Sequence, residues 1–152
     1  MGIHFGMEET QDLVQRDADY VLDDQIGYVL RLASQRHAVI FQNHVSDLTA
    51  TQFSTLIRIS EHGQVSQNHL GRLAAMDVAT IKGVVDRLKA KGLVRSLPDP
   101  NDKRRSSITL TEDGQAMITQ LKRDGAVISA DTLAPLKPAE QKTLLALLKR
   151  IT

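Results

Sequence analysis

The stretch Asp77-Val-Ala-Thr-Ile-Lys-Gly-Val-Val-Asp-Arg-Leu-Lys-Ala-Lys-Gly92 runs directly into Leu93-Val-Arg-Ser-Leu97, Pro98-Asp-Pro-Asn-Asp102, Lys103-Arg-Arg105 and Ser106-Ser-Ile-Thr-Leu110. Asp77 is a capping residue type, and Val78, Ile81, Val84, Val85 and Leu88 recur at helical spacing. The first part therefore reads as a helix packed on one face and closed by Gly92. Leu93 to Leu97 and Ser106 to Leu110 read as two strands, with Ile108 and Leu110 on one face. The turn between them is set by two prolines, which fix φ, and by Asp and Asn side chains that bond their own backbone.

The face of this helix away from the apolar stripe carries Ala79, Gly83 and Asp86, flanked by Thr80, Lys82 and Arg87. It is small and polar near its start and basic along its edges. Small residues let a helix sink into a DNA major groove, about 12 Å wide. Thr can touch a base edge or a thymine methyl, and Lys or Arg can bond guanine or phosphate. Asp86 would be repelled by phosphate, so it is expected to orient a neighbouring Arg or to sit away from the DNA backbone. The hairpin tip, with Arg104 and Arg105 beside Asp102, is stiff and basic enough to enter a minor groove. Asp102, two residues before Arg104, is expected to hold its guanidinium.

Upstream, Ala75-Met76 reads as a tight turn, and Val65-Ser66 as the start of a short helix with Ser66 as cap and Leu70 and Leu73 inward. Gln67 and Asn68 lie at its start, where free backbone N–H groups suit a phosphate. Thr49-Ala-Thr-Gln52 is a capping box opening a helix that His62-Gly63 ends. Asp23 or Asp24 can cap a long helix from Gln25 to about Val45, and residues 1 to about 22 read as an arm. Downstream, Thr111 opens a helix to about Thr132, and a last helix beyond Pro138 reaches Arg150. Met117, Ile118 and Leu121, with Leu144, Leu145, Leu147, Leu148 and Ile151, offer more apolar surface than a lone small domain covers. A two-fold dimer is the expected use. The expected fold is mainly α with a small β-hairpin wing: a winged helix-turn-helix with flanking dimerisation helices. Residues 1–48 form the arm and a dimerisation helix, 49–114 the DNA-binding lobe, and 115–152 the C-terminal dimerisation helices.

Charge distribution agrees. The chain carries a net charge of +1, but between Lys82 and Arg105 eight basic residues face three acidic ones, a local +5 that leaves −4 elsewhere. Such a basic zone is a footprint for a polyanion. Aromatic residues are 3% of the chain and Trp is absent, so the core must be aliphatic, which favours packed helices. Without cysteine there is no disulfide, thiolate ligand or thiol nucleophile. No Gly-rich phosphate loop and no Ser in a G-x-S-x-G turn appears, which argues against an enzyme. No run of 18 apolar residues and no leader pattern is found, so a cytoplasmic place is expected. No cofactor is expected. A metal-responsive regulator is the alternative. Against it, His37 and His44 are separated by about 10.5 Å of helix, and the helix after Thr111 lacks His. His62 and His69 flank a turn and could approach each other.

Gly92-Leu-Val, the run Pro98 to Arg105, Ile108-Thr-Leu110-Thr111 and Gly114 resemble the wing of the multiple-antibiotic-resistance regulator (MarR) family. Val65 to Leu70 and Val84-Val85-Asp86-Arg87-Leu88 resemble its helix-turn-helix. The resemblance covers nearly the whole chain. It implies a homodimeric bacterial transcription regulator, usually a repressor released by a small molecule. It makes Thr80, Lys82 and Arg87 groove or phosphate contacts and Arg104 the wing arginine, with Asp102 as its orienting partner. The chain departs from the pattern at Gly71, where Ala is usual, and at Ser96, where Arg is frequent. Gly71 implies either a weaker helix or a closer neighbour. Arg95, beside Ser96, should point to the other face of the strand. In the family a small molecule often sits between the dimer helices and the DNA-binding lobe. Here Tyr28, Arg31, Arg36, His37 and Phe53 are the candidates. Arg can pair a carboxylate and an aromatic side chain can stack on a ring, so an aromatic acid or related catabolite is the expected ligand. A DNA-binding protein without an effector is the plainer alternative.

Overall fold

Capping side chains fix where most helices of the second half of the chain begin. The computed structural model describes residues 19–102 and 104–152. Most of the arm expected over residues 1 to 22, and Lys103, lie outside them. After a 3-10 turn at Leu22–Asp24, helix α1 spans Ile26–His44. Asp23 and Asp24 sit inside that turn, so neither caps α1 as expected. Helix α2, Ala50–His62, opens with the full capping box of Thr49 and Gln52. It stops at Gly63, whose φ of 76° is easy only for glycine. Strand β1, Gln64–Ser66, leads directly into α3, Gln67–Leu73, and the Ser66 hydroxyl accepts the His69 N–H. After the turn, α4 spans Val78–Ala90 with Asp77 as cap. Strands β2, Val94–Pro98, and β3, Ser106–Leu110, form the wing. Thr111 caps α5, Glu112–Leu133, and α6 spans Pro138–Lys149.

The chain divides into two compact units, Met1–His37 and Ala38–Thr152. The second holds the winged helix-turn-helix. Among the described residues its sheet has three antiparallel strands in the order β1-β3-β2. Val65 pairs with Ile108, and Ser96 pairs with the same Ile108 from the other side. The expectation that Val65 already begins the short helix is corrected: Val65 is a buried strand residue and the helix starts at Gln67. Leu56, Ile59, Leu70, Ile81, Val85, Leu88 and Ile108 are completely enclosed. Gly71 is a point of close approach, since a Cβ there would lie 3.2 Å from both Ile81 Cγ2 and the Met76 carbonyl oxygen. Of the two readings of Gly71, the closer neighbour is the one found.

Two apolar assignments change. Val78 does not join the core stripe of α4; it is 69% exposed, because it occupies the first helical position, ahead of the part of α4 that packs. Ile118 and Leu121, expected at a dimer surface, are buried with Ile128 in the core of the second unit, where α5 packs on α2. Phe53 of α2 rests on Gly125 of α5, with its ring edge 3.0 Å from where a Cβ would stand. Among the apolar side chains left uncovered are Leu144, Leu145 and Leu147 of α6 and Ile151 just after it, together with Ile26, Val29, Leu30, Leu32 and Val39 of α1. No helix among the described residues is long and apolar enough to cross a membrane.

Candidate nucleic-acid interface

Strand β1 brings together two groups of residues that lie far apart in sequence. Ser66 pairs with Ser107 at the base of the wing. As a result Ser66, Gln67 and Asn68, at the start of α3, line one open recess with Arg104, Arg105 and Ser106. Two arginines and several polar residues thus line one concave surface, suited to a phosphodiester.

Helix α4 presents the face expected of it. Ala79, Thr80, Lys82, Asp86 and Arg87 are exposed, while Ile81, Val84, Val85 and Leu88 are buried. Asp77 accepts the Thr80 N–H at 2.7 Å. That backbone bond, assisted by the Thr80 side chain, holds the Asp77 carboxyl below its ordinary pKa. Asp86 does not orient an arginine: it accepts from Lys82 Nζ at 2.9 Å, one helical turn earlier. The hydrogen bond from Lys82, reinforced by the charge of Lys89, keeps Asp86 ionised below the usual carboxylate range. Gly83 is half-buried, and the guanidinium of Arg87 lies against it, Nη1 standing 3.5 Å from the position a Cβ would take.

At the wing tip, Asp99 N–H bonds the Arg105 carbonyl and Arg105 N–H bonds the Asp102 carbonyl, which closes the turn. Asp102 uses one carboxylate oxygen to accept the Arg104 backbone N–H at 3.0 Å. The other lies 3.6 Å from Arg105 Nε. The expected pairing of Asp102 with the Arg104 guanidinium is therefore corrected: Asp102 holds the backbone of Arg104 and the side chain of Arg105. Two residues separate Asp102 and Arg105, so the tight turn folds the second arginine back over the carboxylate. Arg104 stays exposed. Arg95 is exposed and pairs with Thr109 across the sheet. It lines a groove with Glu112 and Asp113 at the start of α5, away from the recess that holds Arg104.

The residues singled out for a small molecule fall in both units. Within Met1–His37, the Arg31 guanidinium carbon stands 5.3 Å from the Tyr28 ring centroid, a cation–π contact. Arg36 is exposed and His37 half-buried. Within Ala38–Thr152, Phe53 meets Phe41 edge-on at 5.6 Å. His62 and His69 do approach each other, with ring centroids 5.7 Å apart. Among the described residues no three His, Asp or Glu side chains gather in a way that could hold a metal ion.

The sequence did not reveal β1, and with it the recess. Three residues, Gln64-Val65-Ser66, are too few to show alternation, and the capping signal of Ser66 is stronger. The one available hint was Val65, a β-branched residue between the helix-ending Gly63 and the cap.

Comparison with known proteins agrees with this geometry. A model of the MarR family matches residues 48–106. The HTH-type transcriptional repressor NicR of Pseudomonas putida is 40% identical over 134 residues, covering 87% of this chain and 85% of that protein. Among solved structures, Bordetella bronchiseptica BpsR, described with regulation of its DNA binding by 6-hydroxynicotinic acid, is 37% identical with a TM-score of 0.82, covering 87% of this chain and 96% of that one. A mutant MarR from Escherichia coli complexed with operator DNA is 29% identical with a TM-score of 0.77, covering 83% and 92%. These relatives are transcription regulators and not enzymes. With a basic wing, a capped second helix in its helix-turn-helix and this degree of identity along most of its length, the chain belongs to the MarR family of transcription regulators.

Proposed function

We propose that this protein is a homodimeric repressor that binds a pseudo-palindromic operator and leaves it when a small aromatic acid binds. The observation that carries the DNA contact is the recess in which Ser66, Gln67 and Asn68 meet Arg104 and Arg105. A phosphate seated there fixes the lobe on the duplex, α4 lies in the major groove with Ala79, Thr80, Lys82, Gly83 and Arg87 toward the bases, and Arg104 extends into the minor groove. Asp102 shapes the tip that presents Arg104. Dimerisation is supported by the uncovered leucine face of α6. Two lobes related by a two-fold axis then read half-sites about 34 Å apart. A cytoplasmic place follows from that role.

The ligand reading is supported by BpsR and its 6-hydroxynicotinic acid, together with the arginines and aromatic residues Tyr28, Arg31, Arg36, His37 and Phe53. The ligand class is a ring carrying a carboxylate, hydroxylated pyridine acids included. It acts through unequal affinity for the DNA-competent and DNA-incompetent dimers, a coupling of about 1 to 3 kcal/mol.

The test starts with duplexes selected from a random pool and measures affinity by fluorescence anisotropy, with and without a panel of benzoic and pyridine carboxylic acids. Specific binding that one of these acids releases supports the proposal. Binding that every acid leaves unchanged leaves a repressor without this effector, and absence of specific binding overturns the reading.

A further inference from the structure

The groove-facing surface of α4 contains a glycine in mid-helix. Glycine there loses more backbone entropy on folding than alanine does, so an exposed helical face normally avoids it. No backbone demand explains Gly83: its φ is not positive, and it lies eight residues before the capping Lys91. The atom found within contact distance of its missing Cβ is Arg87 Nη1, at 3.5 Å. Arg87 follows Gly83 by one turn, and helical side chains lean toward the N-terminus, over the preceding turn. The Arg87 side chain therefore runs back along the helix and brings one guanidinium nitrogen over Gly83, 3.5 Å from where a Cβ would stand. Asp86, the nearest carboxylate in sequence, is occupied by Lys82. Among the described residues no hydrogen bond or ion pair engages the Arg87 fork.

We infer that Gly83 is a positioning residue that seats the Arg87 guanidinium flat on the reading face of α4, and that Arg87 there reads a guanine. The planar fork matches O6 and N7 of guanine bidentately. On a flat glycine surface it lies at backbone level, where the helix comes closest to the base edges. A larger residue at position 83 would lift Arg87 off that surface toward the phosphates. The inference rests on the DNA-binding reading above and goes beyond it by assigning one base contact and the residue that sets it.

The experiment uses the full-length chain and a duplex chosen by selection, with each base pair of the half-site replaced in turn. Gly83→Leu, Gly83→Gln, Arg87→Ala and the double variant Gly83→Leu/Arg87→Ala are compared in thermal melting and competition binding. Gly83→Leu and Gly83→Gln should keep or raise the melting temperature, because both residues form helix better than glycine. They should also lose about tenfold in affinity and lose the preference for guanine at a single position. Arg87→Ala should lose that same preference, and the double variant should bind no more weakly than Arg87→Ala. Three results would overturn the inference. The Leu and Gln variants could retain the preference. The losses could multiply in the double variant, which would mean that the new side chain strikes DNA directly. Arg87→Ala could weaken every duplex equally, which would make Arg87 a phosphate contact. Wild-type protein that selects no duplex would instead overturn the DNA-binding reading, and this inference with it.

Discussion

Each cation that faces the proposed DNA is held differently. Lys82 is paired with Asp86, Arg105 lies close to Asp102, Arg87 rests on Gly83, and Arg104 has its backbone fixed while its side chain remains exposed. Arg104 is the one whose removal should cost affinity without disturbing the lobe. Arg104→Ala is expected to leave the melting temperature unchanged and to weaken specific binding clearly. It should also reduce the salt slope of binding by about one per protomer, measured as log affinity against log salt. Asp77 makes a prediction about pH. Its carboxyl titrates below the ordinary value because the folded helix start stabilises the charged form. Its contribution to stability is therefore complete above the unfolded-state pKa, near 4, and is lost as pH falls through the lower folded value. Asp77→Asn keeps a capping oxygen but cannot titrate. Denaturant midpoints followed from pH 7 to pH 3 should fall less steeply for this variant than for the wild type.

At the scale of elements, the junction between wing and α5 is the tightest place in the lobe. A Cβ on Gly114 would stand within 2.1 Å of the Leu93 carbonyl oxygen, which is backbone and cannot rotate away. Thr111 ties the same junction by donating to the Gly92 carbonyl and by capping α5. Gly114→Ala should therefore destabilise the protein by at least about 2 kcal/mol in chemical denaturation. Thr49→Ala, which removes one reciprocal cap, should cost about 1 kcal/mol. The caps at Thr49, Ser66, Asp77 and Thr111, the stop at Gly63 and the hairpin around Pro98 were all legible in the sequence. Each depends on local chemistry within four residues. What was not legible depends on tertiary contact. Val78 continues a perfect helical stripe yet lies outside the core, and Ile118 and Leu121 reveal their partner only when α2 is in place. The two arginines of the wing could not be told apart either, because Asp102 is within reach of both until the turn closes.

For the whole molecule, the uncovered leucines of α6 are a feature that a single chain leaves unexplained. With Leu145 and Leu147 both about half exposed, α6 has no buried residue of its own. Leu147→Glu is expected to shift the protein from dimer to monomer in sedimentation at micromolar concentration. Operator affinity should fall with it, since a monomer reads one half-site. A wild-type protein that sediments as a monomer would remove the two-fold arrangement. The three-residue strand β1 has a different consequence, for folding. It clips Val65 to Ile108 across nearly the whole helix-turn-helix, so the central strand of the wing cannot gain its second neighbour until the chain between them has collapsed. Amide exchange should reflect this. The Ile108 N–H should open only with global unfolding, while Asn101 at the tip exchanges through small local fluctuations. The lobe then has no stable half-formed wing, and its folding rate should be limited by closing this one long loop rather than by forming any of its helices.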